Sequence, residues 1–285
     1  MNYTKRESRA GYLFALPSIS GFLFFFLIPF GISIFYCFTR GVGRIEYVGF
    51  DNFKNLLSNN AFLLAVKNTI IFNLVAVPIV MVVSLGISLI LNGKIKGGSF
   101  FRTILTLPII IPVASVSLLW QLIFARQGFL NQLLRNMTNI IGPDYINTSW
   151  SFIILVMLYV WKNCGYCMII FLAVLNNIPK EYYEAASMDG CSKVRSFFKI
   201  TLPLLSSTIF FVFIIAVINS LRVYREAYLI FGQYPSSNIY MLQHFMNNNF
   251  TNLNYQILST ASVLVFIFVA IVLGLLFKLQ KKYEV

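Results

Sequence analysis

Apolar residues run through the chain in six long stretches that acidic and basic side chains almost never interrupt. Residues 10–39, 68–93, 103–125, 200–221 and 257–277 contain no charged residue, and Trp150–Leu175 contains only Lys162. A helix needs about 20 such residues to cross about 30 Å of hydrocarbon. The pattern therefore predicts an all-α membrane protein with six transmembrane helices, over approximately 11–38, 68–92, 103–125, 150–175, 204–224 and 257–278. All six belong to one transmembrane domain covering residues 1–285. Pro17, Pro29, Pro78, Pro108 and Pro112 fall within or at the ends of three of these runs. Such prolines are tolerated where neighbouring helices or local adjustments satisfy the freed backbone groups.

Composition agrees with a bilayer as the solvent. The 285 residues are 58% hydrophobic and 11% charged, whereas a soluble domain carries about a quarter charged residues. The net charge of +13 would point to nucleic acid in a soluble chain, but here the position of the charges matters more than their sum. Thirteen basic residues lie on one side: Lys5, Arg6, Arg9, Lys94, Lys96, Arg102, Lys180, Lys193, Arg195, Lys199, Lys278, Lys281 and Lys282. The other side has eight, Arg40, Arg44, Lys54, Lys67, Arg126, Arg135, Arg222 and Arg225, in longer loops. The positive-inside rule thus puts both termini in the cytoplasm. The first run is too long for a signal-peptide core and has no convincing cleavage site, so it is expected to stay in the mature chain.

Several chemistries are disfavoured. The glycine-rich NGKIKGGS (residues 92–99) has the wrong order for a phosphate loop, so the chain is not expected to hydrolyse ATP by that chemistry. No acidic residue falls in the middle of a predicted span, Glu226 is at a helix end, and the lone His244 falls in the fifth loop. Proton relays normally run through buried Asp, Glu or His, which disfavours a proton-driven carrier. A Na⁺ site built from backbone carbonyls stays open. No cluster of side chains suits a metal and no nucleophile stands beside a base. Cys164-x-x-Cys167, in a predicted span beside Gly165, reads as small-residue helix packing rather than a redox pair.

The polar segment 179–203 reads as two short cytoplasmic helices. Pro179 suits a first helical turn, and Glu181 and Glu184 favour its positive end. Gly190 permits the turn that ends the helix, and Ser192 can cap a second one carrying Val194, Phe197 and Phe198 on one face. Physically this is either a plug for a partner's socket or a helix pair resting on lipid headgroups. The spacing E-A-A, three residues, G, nine residues, I-x-L-P is met by Glu184-Ala185-Ala186, Gly190 and Ile200-Thr201-Leu202-Pro203. This resembles the signature loop of permease subunits of bacterial ABC importers.

VGFDNFKNLL (48–57), NTIIFNLVAVPIV (68–80), FFRTILTLPIIIP (100–112) and IPKEYYEAASMDG (178–190) are similar to the carbohydrate-uptake branch of that family, which includes the maltose and glycerol-3-phosphate permeases. The resemblance runs from about residue 48 to residue 279, with the first helix more loosely matched. It implies the type I importer fold, with 179–203 as a coupling loop that inserts into an ATP-binding subunit. Glu184, Ala185, Ala186 and Gly190 would then form the docking surface, with Asp189 supporting the turn. Since no internal repeat is visible, it also implies a second homologous permease, expected to make a heterodimer. Two copies of an ABC ATPase, which bind the ATP and Mg²⁺, and an extracytoplasmic binding protein complete the assembly in the bacterial inner membrane. No cofactor, metal or nucleic acid is expected on this chain.

Candidate substrate contacts follow from helical spacing. Tyr159, Lys162, Asn163 and Tyr166 recur at i, i+3, i+4 and i+7 in the fourth span. An isolated Lys at mid-span costs about 2.5–3.5 kcal/mol, so Lys162 is expected to face a wet cavity or a partner. The fifth span offers Asn219, Ser220 and Tyr224, and the third offers Ser117, Trp120 and Gln121. Rings with amide, hydroxyl and ammonium donors suit a sugar, and in the maltose-type permeases the counterparts of the fourth and fifth helices carry the sugar site. Against this, Asn, Ser and Gln also serve as interhelical glue, and Tyr and Trp as interface anchors. Arg222, Arg225 and Glu226 are placed where the fifth helix leaves the membrane, with a structural ion pair favoured over a selectivity role. The fifth loop reads FGQYPS (231–236) in place of the family's Gly-Gly-Pro stretch. The expected function is therefore sugar or oligosaccharide import, with a non-sugar solute in the same architecture, or a self-sufficient channel or Na⁺-coupled carrier, as the alternatives.

Overall fold

The computed structural model describes residues 3–41, 45–93, 96–140 and 142–283. Arg44, Lys94 and Glu284 lie outside the described residues, as do the side chains of Lys5, Arg6, Glu7, Arg9, Lys281 and Lys282. In chain order the helices are α1 (Tyr3–Phe22), α2 (Ile28–Cys37), α3 (Asp51–Leu57), α4 (Asn60–Asn92), α5 (Gly98–Ile110), α6 (Val113–Phe124), α7 (Phe129–Thr138), α8 (Trp150–Leu175), α9 (Glu181–Met188), α10 (Lys193–Ser196), α11 (Leu202–Leu204), α12 (Ser206–Leu221), α13 (Tyr224–Phe231), α14 (Leu242–Thr251) and α15 (Tyr255–Tyr283). Among the described residues, six segments are long and apolar enough to cross a membrane. The chain forms two compact units.

The first unit comprises Met1–Leu63 and Met246–Val272. A π-helical turn, Leu23–Leu27, joins α1 to α2. After α2 a two-residue antiparallel pair sets Thr39 opposite Tyr47 and Arg40 opposite Glu46. The buried Asn52 of α3 locks this corner by donating to the carbonyls of Cys37 (3.0 Å) and Thr39 (2.9 Å). Phe30 packs edge-on against Phe266 of α15. Phe24, Phe25 and Phe26 are exposed, which costs nothing where hydrocarbon is the solvent.

The second unit, Leu64–Phe245 with Leu273–Val285, is organised around α8. Leu155, Leu158, Tyr159, Cys167, Met168 and Phe171 of that helix are all essentially inaccessible. Phe72 of α4 meets the Tyr159 ring edge-on at 5.6 Å, and Ser84 of α4 donates to the Cys164 carbonyl at 3.0 Å. At Gly165 the backbone of α5 comes so close that a Cβ would overlap the Leu105 carbonyl. Without lipid-driven hydrophobic association, small residues are what let helix backbones approach this closely. The packing reading of Cys164 and Cys167 therefore holds, and both are buried free thiols.

Two predicted runs differ from single rods. Residues 103–125 are split between α5 and α6 at Ile111 and Pro112, both in extended conformation. Proline pushes the residue before it out of the helical region and supplies no N–H; Pro108, one turn earlier, is absorbed inside α5. The fifth run does not leave its helix at 224. It turns at Arg222–Val223 and continues as α13, whose Glu226, Ala227, Ile230 and Phe231 are buried. His244, expected in a loop, is fully buried in α14.

Candidate functional site

Two places concentrate chemistry-bearing residues. The first is segment 179–203. Helix α9 begins at Glu181 with Glu181 and Glu184 in its first turn, and Pro179 stands just ahead of the Lys180 cap. Its end follows from backbone geometry. Gly190 sits at φ +74°, its N–H bonds Ser187 O (3.1 Å), and the Cys191 N–H reaches back to Ala186 O (2.8 Å). This paired pattern closes a helix only when the residue at its centre adopts the left-handed conformation, the region open to glycine. Asp189 contributes the C-cap through its backbone N–H, bonded to Ala185 O and Ser187 O.

Ser192 then caps α10, its hydroxyl accepting from the Arg195 N–H at 3.4 Å. The second helix is only four residues before it widens into a π turn at Phe197–Thr201. The Tyr183 and Thr201 hydroxyls meet at 2.9 Å and brace the two arms. Glu184, Ala185, Asp189 and Gly190 are exposed and Ala186 is half-buried. Beside them Met188 is 89% and Val194 69% exposed. The loop thus holds out an acidic and apolar surface on a rigid bend.

The second place is a cavity of about 230 Å³ lined by Tyr159, Lys162 and Asn163 of α8, Asn219 at the end of α12, and Arg222, Arg225 and Glu226 around the α12–α13 turn, with apolar walls from Ile109, Val113, Leu158 and Val223. Lys162, at the middle of α8, forms an ion pair with Glu226; their side chains are 17% and 5% exposed. It is the only ion pair among the described residues. Removing two charges from water is costly and is offset only when they meet, so Lys162 has both the partner and the cavity that its depth demands. Glu226 does stand at a helix end, in the first turn of α13, but it is buried and its partner is Lys162 of α8 rather than Arg222 or Arg225. The signal for it was available: a lone mid-membrane cation calls for a counter-charge, and Glu226 is the acid next to a span.

Of the ten proposed substrate contacts, four line the cavity: Tyr159, Lys162, Asn163 and Asn219. Tyr159 is already committed, its buried hydroxyl donating to Ala216 O at 2.6 Å. The other six do not line it; Ser117 is buried within α6. Gln121 ties α6 to α13 by donating to Leu229 O (2.7 Å) and Ile230 O (3.2 Å). Trp120 stacks on Phe124, and the buried Ser220 donates to Asn73 Oδ1. Tyr224 meets the His244 ring edge-on at 4.9 Å. Tyr166, drawn onto the same face by the i+7 spacing, is 39% exposed and away from the cavity. Gln121, Ser220 and Tyr224 thus have partners on other helices, the kind of contact polar groups in membrane helices often make. His244 accepts from the Met241 N–H, and burial pushes its pKa down to about 4. No group of three or more His, Cys, Asp or Glu among the described residues is placed to hold a metal.

Residues 81–283 match the family described as "Binding-protein-dependent transport system inner membrane component". The chain is 38% identical over 235 residues to the probable ABC transporter permease protein YesP of Bacillus subtilis, covering 79% of this chain and 74% of that one. It is 30% identical over 268 residues to the trehalose/maltose transport system permease protein MalF of Thermococcus litoralis, covering 93% and 91%. Its fold is that of a chain in the crystal structure of a bacterial ABC transporter involved in the import of the acidic polysaccharide alginate, with TM-score 0.83, 22% identity and 99% of each chain covered.

Proposed function

The chain belongs to the family of binding-protein-dependent transport system inner membrane components, and from that premise we propose that it carries a sugar or oligosaccharide across the membrane as one permease of an ATP-driven importer. The family places it in the inner membrane as a permease. On our reading both termini face the cytoplasm, and a second, similar permease completes the path. An extracytoplasmic binding protein delivers the cargo. Two ATPase subunits bind ATP and Mg²⁺ and supply the work. Relatives named for trehalose/maltose, multiple sugars, lactose and arabinooligosaccharides support a saccharide cargo.

The observation that carries this reading is the bend at Gly190. Helix α9 and the segment after it form a preformed, braced and uncovered protrusion continuous with α8 on one side and α12 on the other. A force applied to Glu184, Ala185, Ala186, Asp189 and Gly190 is thereby passed to the two helices that flank the cavity. Gly190→Val, which places a β-branched residue at positive φ, and Glu184→Lys should each abolish ATP-dependent uptake in proteoliposomes while membrane insertion and yield stay normal. Normal uptake by both variants would exclude this loop as the point of drive.

A further inference from the structure

We propose that the cavity selects a carboxylate-bearing saccharide, such as a uronate oligomer, with Arg222 and Arg225 as the carboxylate-binding groups. This rests on the saccharide reading above and specifies its substrate class. Three cations and one anion line the cavity. The anion, Glu226, is the most deeply buried of them and is matched by Lys162. Arg222 and Arg225 are exposed, and neither forms an ion pair among the described residues. A solute in the cavity therefore meets two unneutralised guanidinium groups. Both stand around the same turn as Glu226, which reaches the middle of α8, so neither can rest against hydrocarbon without a cost of about 2.5–3.5 kcal/mol. They face either the aqueous path or the second permease that closes it.

A neutral glycan would leave these groups without a counter-charge. A carboxylate matches the guanidinium fork in geometry and sign, with charge-assisted bonds roughly twice as strong as neutral ones. Asn219 stands beside them as an amide partner for ring hydroxyls, while the Asn163 Nδ2 already donates to Tyr159 O at 2.9 Å, and Ile109 and Val113 supply an apolar wall for the CH face. At about 230 Å³ the cavity falls short of the roughly 300–1,000 Å³ of a complete small-molecule site. That suits one half of a path that a second permease closes.

The test uses the importer as purified with its partner subunits, in ATP-loaded proteoliposomes, with trigalacturonate and its neutral methyl ester of the same length as probes. The acid should be taken up in preference to the ester. Arg222→Gln and Arg225→Gln should each reduce that preference by about ten-fold or more, as the loss of a hydrogen bond to a charged group implies. Arg225→Lys should retain part of it. Equal uptake of both probes, or Gln variants that slow both by the same factor, would overturn the charge selection and leave saccharide import standing. Failure to move either probe, while an amine or phosphodiester stimulates ATP hydrolysis, would overturn the saccharide reading itself.

Discussion

The 179–203 loop and the membrane cavity solve opposite problems. The loop is exposed on nearly every side, and its shape comes from backbone geometry: a glycine at positive φ, a serine cap and one hydroxyl brace. The cavity is set by side chains far apart in sequence, and its ion pair joins residues 64 positions apart. Damage to the loop should therefore disturb function and leave stability nearly intact. Damage to the cavity should lower stability first. A surface that a partner must grip can be rigid without being stable, whereas a charge held in the membrane is tolerable only when the surrounding fold is complete.

The sharpest way to break this contrast is Lys162→Met. Stranding Glu226 in a buried site should cost about 3–5 kcal/mol, read as a marked fall in the detergent melting temperature. Lys162→Met with Glu226→Met should recover most of it, since a well-packed apolar pair replaces a buried ion pair at little cost. A single variant as stable as the parent would mean the pair is not buried as described.

Next comes pH. His244 packs on Tyr224 next to the cavity turn, and burial holds its pKa at about 4 against 6.5 when free. The folded state resists a proton that the unfolded state accepts. Stability should be complete above about pH 6.5 and fall as the pH drops toward about 4, by on the order of 3 kcal/mol. His244→Gln should flatten that slope in pH-resolved melts, and an unchanged slope would assign it to other groups.

Gly165→Val should cost about 1–3 kcal/mol by forcing α5 away from α8, again visible in the melting temperature. The smallest effect is expected in the loop: Ser192→Ala removes the α10 cap at about 0.5–1 kcal/mol. Its melting temperature should barely move while the ATP-driven uptake rate falls. A larger stability loss there than at Gly165 would invert the comparison.

How far the sequence foretold this molecule follows the same division. The loop was legible because its determinants are local: Glu184, Gly190 and Ser192 lie within nine residues and act on the backbone next to them. The six apolar runs were legible because charge is excluded from hydrocarbon, although the Pro112 break needed the extended pair Ile111–Pro112 to be weighed against a run that looked continuous. The cavity was only half legible. Helical spacing put Tyr159, Lys162 and Asn163 together but carried Tyr166 along with them. Nothing local told that α12 turns at Arg222 and brings Glu226 back to Lys162. Gln121, Ser220 and Tyr224 have the chemistry of sugar ligands, yet their partners are the carbonyls and side chains of α4, α13 and α14.

The proposed function stands on a division of labour: this chain forms a path, and the energy is proposed to come from subunits that grip it at the Gly190 bend. The most direct measurement compares solute accumulation in proteoliposomes containing the purified chain alone with that in vesicles containing the complex that copurifies with it in mild detergent. Concentrative, ATP-dependent uptake by the complex, and none by the chain alone, is the expected result. Accumulation against a gradient by the chain alone, driven by an ion gradient and indifferent to ATP, would contradict it.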